Sequence, residues 1–272
     1  MKLTSMFGLG LGLILAASSC KEADLISYEH SANVYFDLNE EQRDSIVYTF
    51  AYDMSKSSDT IAIPVRLMGI REDRDRSYLA YVEKDSSTAK EDLHYEPLKA
   101  EYALGAGIGQ TYLPVIINNV PELEERSVSL IVKLQESSDL GIENPAIIRA
   151  KLVFSARLEK PNWWDSWPLG EYSRIRHQLF FLVTEQTELT TVATDPFGVP
   201  KNLYFANLLT IMLNDPFRWV AEHPEKGYVL EEQEGGSYHF YHPDNPAKII
   251  ELRYNAAAGR YYFIDEEGKE IR

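Results

Sequence analysis

A chain of 272 residues with 42 acidic and 27 basic side chains carries a formal net charge of −15. Such a surface repels nucleic acid and anionic lipid headgroups, which excludes both as partners, and it tolerates neutral glycans, cations and basic proteins. A single cysteine, Cys20, excludes a disulfide within the chain.

Residues 1–20 open with Met1-Lys2, run through an apolar stretch from Met6 to Ala17, and close in the small residues Ala16-Ala17-Ser18-Ser19 before Cys20. A positive start, a short apolar core and a small-residue cleavage region make a secretory signal, too short to span a bilayer stably. A buried N-terminal helix is the poorer reading, because Gly8, Gly10 and Gly12 weaken a helix interior and no polar face makes the segment amphipathic. A cysteine at the cut site resembles the lipobox of bacterial lipoproteins, with Ala17 where leucine is usual and Leu15 two residues further back. The resemblance implies that the Cys20 thiol receives a diacylglycerol and that the mature chain is exported and lipid-anchored at the outer membrane. Acyl chains contribute about 0.8 kcal/mol per buried methylene, so several of them hold a soluble domain durably. Lys21-Glu22-Ala23-Asp24 resembles the charged tag of surface-exposed Bacteroidetes lipoproteins and equally suits a solvated tether. Removing 1–19 takes away only Lys2 among the charged side chains, leaving 26 basic against 42 acidic groups and a net charge of −16. No second apolar stretch approaches the roughly 18 to 20 residues of a membrane span.

From 33 to 158 the chain alternates with period 2 in short runs, at 33–37, 46–52, 60–67, 78–82, 111–117, 127–134 and 147–158. Turn-rich clusters at 55–59 and 105–109 separate them. The pattern predicts an immunoglobulin-like antiparallel β-sandwich over 31–159. Pro64 and Pro114, lacking an N–H for the ladder, mark edge positions or bulges.

Glu91-Asp92-Leu93-His94-Tyr95-Glu96-Pro97, the glycine-rich 105–109, Leu113-Pro114-Val115-Ile116-Ile117-Asn118 and the acidic Glu122-Leu123-Glu124-Glu125-Arg126 before 129–134 follow one another in the order found in Calx-beta modules. The chain resembles the second half of such a sandwich, best over 85–136. Calx-beta modules in exchangers bind calcium through acidic loops, with six to eight hard oxygen ligands. The equivalents here, Glu91, Asp92, Glu122, Glu124 and Glu125, lack the dense aspartate clusters of such a site and read as solvated loop charges, so no metal or other cofactor is assigned.

Lys160-Pro161 ends the last strand, and Asn162-Trp163-Trp164-Asp165-Ser166-Trp167-Pro168-Leu169-Gly170 follows with three of the four tryptophans. Tyr172, Ile175, Leu179 and Leu182 or Val183 recur at helical spacing through 171–185, predicting an amphipathic helix. A second helix is predicted over 201–213, with Phe205, Leu208, Leu209 and Met212 on one face, and a shorter piece between Pro216 and Pro224 carries Trp219. Strands return after Gly227, most plainly in the hairpin 248–254 and 260–264. The division is a signal over 1–19, a lipidated cysteine and tether over 20–30, the sandwich, and an α+β unit over 160–272; the whole is mainly β.

An anchored signal, a sandwich with Phe50, Pro64-Val65 and Gly69, then Pro161, Trp164 and Leu169-Gly170-Glu171-Tyr172-Ser173, together resemble an uncharacterised Bacteroidetes lipoprotein family, a domain of unknown function. The resemblance implies a place beside outer-membrane glycan-uptake systems of the starch-utilisation type and assigns no activity.

No G-x-S-x-G elbow, H-E-x-x-H zinc motif or phosphate-binding glycine loop is present, and no catalytic residue is assigned. His239 and His242 on a strand would face opposite sides and read as ordinary histidines. Trp163, Trp164 and Trp167 either fill the joint between the two units or present indole faces to sugar rings, with Asp165 or Asn162 fixing hydroxyls. The expected protein is not an enzyme: it is a surface-anchored binding or accessory lipoprotein that captures a glycan beside an outer-membrane transporter. The alternatives are an adhesive subunit working through sheet edges and, less favoured, a glycan-active hydrolase whose carboxylate pair no sequence spacing reveals.

Overall fold

Period-2 alternation builds the first half of the protein, whose computed structural model describes residues 31–190, 195 and 197–272. The signal, Cys20 and the tether, assigned to 1–30, lie outside the described residues. Strands β1 (Asn33–Phe36), β3 (Ser58–Met68) and β6 (Gln110–Asn118) pair antiparallel in the order β1-β3-β6. The facing sheet takes β2 (Ile46–Thr49), β8 (Arg149–Ser155), β7 (Val128–Gln135), β4 (Arg76–Val82) and β5 (Tyr102–Leu104) in that order. Alternate residues of both sheets, among them Ile63, Val65, Leu113, Val115, Leu130, Val132 and Leu152, meet in one core. This is the expected sandwich.

Three local expectations are corrected. β2 joins β8 in parallel, Ile46 opposite Leu152 to Thr49 opposite Ser155, so the sandwich is not wholly antiparallel. The chain reaches β2 from β1 through the short helix α1 (Glu40–Asp44), where Asn39 and Gln42 form a reciprocal capping box that turns the chain into the other sheet. β5, only three residues long, was not expected; its Tyr102 stacks on Tyr78 at 5.4 Å. Pro64 lies in the central strand β3, in an unbroken register with β6. Its carbonyl accepts the Asp37 N–H at 2.9 Å, one residue past the end of β1, so the reciprocal bond that proline cannot donate falls beyond the last β1–β3 pair. Pro114 is on an edge. Ile116 and Asn118 turn their backbones to residues 94–96, and Pro114, of the same parity, turns its nitrogen beyond that segment.

After Pro161 the chain forms α2 (Arg174–Thr184), α3 (Gly198–Asn214) and α4 (Pro216–Glu222), then an antiparallel sheet of β9 (Val229–Glu232), β10 (Tyr238–His242), β11 (Asn245–Asn255) and β12 (Arg260–Phe263). α2 starts where Ser173 Oγ accepts the Arg176 N–H at 3.1 Å, and Glu266 accepts the free N–H groups of Arg174 and Ile175 at 2.6 and 3.2 Å. The helix is not amphipathic in the expected sense. Its polar side chains Arg176, His177 and Gln178 are as buried as Leu179 and Phe180. A second core gathers α2, α3, Trp164 and the inner face of the C-terminal sheet, and it also takes Met54 and Leu158 from the N-terminal half. Ala32–Arg272 is thereby one compact unit with two cores.

The halves are also joined by charge. Glu124, after β6, pairs with Arg174 at 3.0 Å and with Lys248 of β11. Asn245, almost fully buried, donates to the carbonyls of Met54 and Lys56 at 2.9 and 3.1 Å and so fixes the loop between β2 and β3 against β11.

Candidate cleft at Tyr52

That loop supplies the first wall of the candidate site. Phe50 and Ala51 point into the protein, and Asp53 closes a local turn by accepting the N–H and hydroxyl of Ser55 at 3.0 and 2.6 Å. Between them Tyr52 is left 51% exposed. Its ring stands edge-to-face with Phe181 of α2, centroids 5.0 Å apart and planes at 88°. Tyr52, Phe181 and Thr187 line two cavities.

The first cavity, about 510 Å³, is completed by Gln178 and Leu182 of α2, by Glu185 at its C-terminal cap, and by Lys226, Tyr228 and His242. Tyr228 stacks on the buried Phe240 at 4.9 Å, and burial, with Asp53 nearby, pushes its hydroxyl pKa well above the usual range. His242 meets Tyr228 edge-on at 5.2 Å, and its Nδ1 accepts the Asp244 N–H at 3.1 Å. Gly227 sits at φ +71°, where a Cβ would come within 2.5 Å of His242 Nε2, so glycine is needed for this approach. The pair with Lys226 holds the Glu185 carboxyl below the usual range. A bond from its own backbone N–H, and then His223, do the same for Glu225.

The second cavity, about 720 Å³, reaches Arg157, Asn162, Trp163 and His177. His177 lies among the rings of Trp163, Trp164, Tyr172 and Phe181, at 4.2 to 5.7 Å. Neither ring nitrogen has a hydrogen-bond partner, and burial pushes its pKa down to about 4. Gln178 likewise keeps its Oε1 buried without a partner. Nothing in the sequence marks either one: both fall between the apolar positions of the predicted helix.

The tryptophan platform is corrected. Trp164 is fully buried, its Nε1 donating to the Gly170 carbonyl at 2.9 Å, and Trp163 is 6% exposed with only its rim at the second cavity. Trp167 is half-buried with its Nε1 enclosed. Such large apolar faces are more stable packed against Phe180 and α2 than in water. The exposed aromatic ring at this site is Tyr52. Three acidic loop residues carry cations: Glu91 pairs with Lys84 at 2.8 Å, Glu122 with Arg126, and Glu124 with Arg174 and Lys248. His239 lies in register with Glu231 and Glu251, away from the Tyr228 side that His242 lines. Among the described residues no group of three His, Cys, Asp or Glu side chains is placed to hold a metal ion, and no helix is long and apolar enough to cross a membrane.

The model of one family, described as a domain of unknown function (DUF4843), matches residues 28–186. The chain belongs to the DUF4843 family. The matched DUF4843 segment contains both Tyr52 and the Gln178–Phe181 wall, and it ends before Tyr228 and His242. No curated protein matches the chain. Among solved structures it is similar to CBD12 from CALX1.2, at 13% identity over 45% of this chain and 43% of that one, with a TM-score of 0.34. It is also similar to a protein of unknown function from Bacteroides ovatus, at 16% identity over 44% and 43%, TM-score 0.37. A third, from Bacteroides ovatus ATCC 8483 and put forward as a carbohydrate binding protein, shares 14% identity over 47% and 38%, TM-score 0.34. The chain thus spans less than half the length of each of these three.

Proposed function

We propose that this DUF4843 protein is a non-catalytic binding or accessory lipoprotein, anchored at the outer membrane through lipid on Cys20, that captures an extracellular glycan for an uptake transporter. One observation carries the reading: a half-exposed Tyr52 stands over a cavity whose floor holds a buried amide with an unpartnered oxygen, Gln178. Sugar sites combine an aromatic surface with a few fixed polar groups. A binding role is favoured over hydrolysis because Glu185 and Glu225 are held below the usual carboxylate range, whereas a glycosidase acid needs a raised one. Affinity electrophoresis through gels containing uncharged polysaccharides tests it. The protein is retarded by at least one, and Tyr52→Ala loses that retardation; migration unaffected by any polymer contradicts the reading.

A second reading, an adhesive subunit, is favoured by one feature. Phe217, Tyr238, Tyr261 and Tyr254 form a row of rings 4.9 to 5.3 Å apart, ending in Tyr254, which is more than half exposed. Aromatic rows of this kind suit protein contacts as well as sugars.

A further inference from the structure

We propose that the cavity beside Tyr52 takes one residue of an uncharged sugar, two adjacent hydroxyls of which bind the side-chain amide of Gln178. The proposal rests on the glycan reading above and names the part of the glycan that this cavity reads.

Gln178 is only 3% exposed, and it lines the 510 Å³ cavity between Tyr52 and Tyr228. Its Oε1 has no partner within the protein. A buried amide left unsatisfied costs free energy that an apolar side chain of similar size would not, and a hydroxyl entering the cavity would supply the missing partner. An amide presents one acceptor and one donor side by side, and neighbouring sugar hydroxyls each donate and accept. A half-turn about the last side-chain bond exchanges oxygen and nitrogen and preserves that match.

The charges around the cavity select the class of sugar. Asp53, Glu185 and Glu225 face it with Lys226 as the one ammonium, already paired with Glu185. Beside His242 stands a further carboxylate, Asp244, 3.7 Å from its Nδ1. A uronate or a sulfate ester would enter against this negative surplus and against a chain of net charge −15. Hydroxyls meet no such barrier, and the aromatic surface of Tyr52 suits the apolar side of a sugar ring.

The test is affinity electrophoresis of the full chain through gels cast with an uncharged glucan, an uncharged galactomannan or polygalacturonate, paired with thermal unfolding. Gln178→Leu keeps the volume and removes both polar atoms. The expected result is a variant that melts at or above the wild-type temperature yet binds the retarding uncharged polymer at least tenfold more weakly, with polygalacturonate retarding neither protein. Gln178→Met serves if the leucine variant does not fold. Unchanged retardation of the Gln178 variants, with Tyr52→Ala losing it, overturns the role of Gln178 and leaves the glycan reading standing. Equal retardation by polygalacturonate overturns the uncharged class. No retardation by any polymer overturns the glycan reading and this inference with it.

Discussion

The ring of Tyr52, from a loop of the sandwich, stands edge-to-face with the ring of Phe181 in helix α2, at 5.0 Å and 88°. Two halves with separate hydrophobic cores therefore meet at a shared aromatic wall with a cavity on each side. The geometry at this wall depends on buried groups that can be tested one by one.

His177 makes stability depend on pH. Its pKa is near 4 in the folded protein and near 6.5 in the unfolded chain. The unfolded state therefore binds more protons between these values, and stability falls as pH drops from about 6.5 to 4, by roughly 3 kcal/mol in total. Chemical denaturation of wild type and His177→Phe across this window should show the difference between them narrowing or reversing in the variant's favour as pH falls. A constant difference would contradict the buried neutral imidazole.

Gly170 is required where it stands. At φ +79° an alanine Cβ would lie 1.7 Å from Arg176 Nη1, the atom that donates to the carbonyls of Leu169 and Glu171 at 3.0 and 3.1 Å. The Gly170 carbonyl also accepts from Trp164. Gly170→Ala is expected to cost roughly 3 kcal/mol or more, combining left-handed backbone strain with displacement of a buried guanidinium. Thermal unfolding followed by tryptophan fluorescence measures it.

Glu124→Gln should weaken both halves together. The substitution leaves Arg174 and Lys248, both largely buried, without their shared carboxylate. Fully buried pairs cost 3–5 kcal/mol to break, and the partial exposure here brings this down to roughly 2 kcal/mol, or about 4 to 8 °C in a unit of this size. Calorimetry should show one transition shifted downward.

Sequence alternation made the sandwich legible, because a strand with one buried face must place apolar residues at every second position, as 60–67 and 127–134 do. The parallel pairing of β2 with β8 was not legible: it joins residues about a hundred positions apart, and alternation carries no direction. The site was less accessible still. Trp163 and Trp164 are conspicuous in sequence yet buried, since adjacency says nothing about what covers a ring. His177 and Gln178 are inconspicuous in sequence for the converse reason. Helical periodicity assumes one solvent-facing side, and α2 is enclosed by the Trp163–Trp164 segment, the loop at Met54 and the C-terminal sheet.

The anchor is tested separately from the cleft. Cys20→Ser is expected to abolish palmitate labelling and to move the protein from the detergent phase to the aqueous phase, without altering glycan retardation. Continued labelling would contradict lipidation at that thiol.

Sugar binding at Tyr52 is what the remaining experiment addresses. A crystal structure of the protein with an oligosaccharide of the polymer that retards it is the most direct measurement. A sugar ring against Tyr52 with two hydroxyls on Gln178 is the expected result; a sugar seated instead along Tyr238, Tyr261 and Tyr254, with none in the Tyr52 cavity, would contradict it.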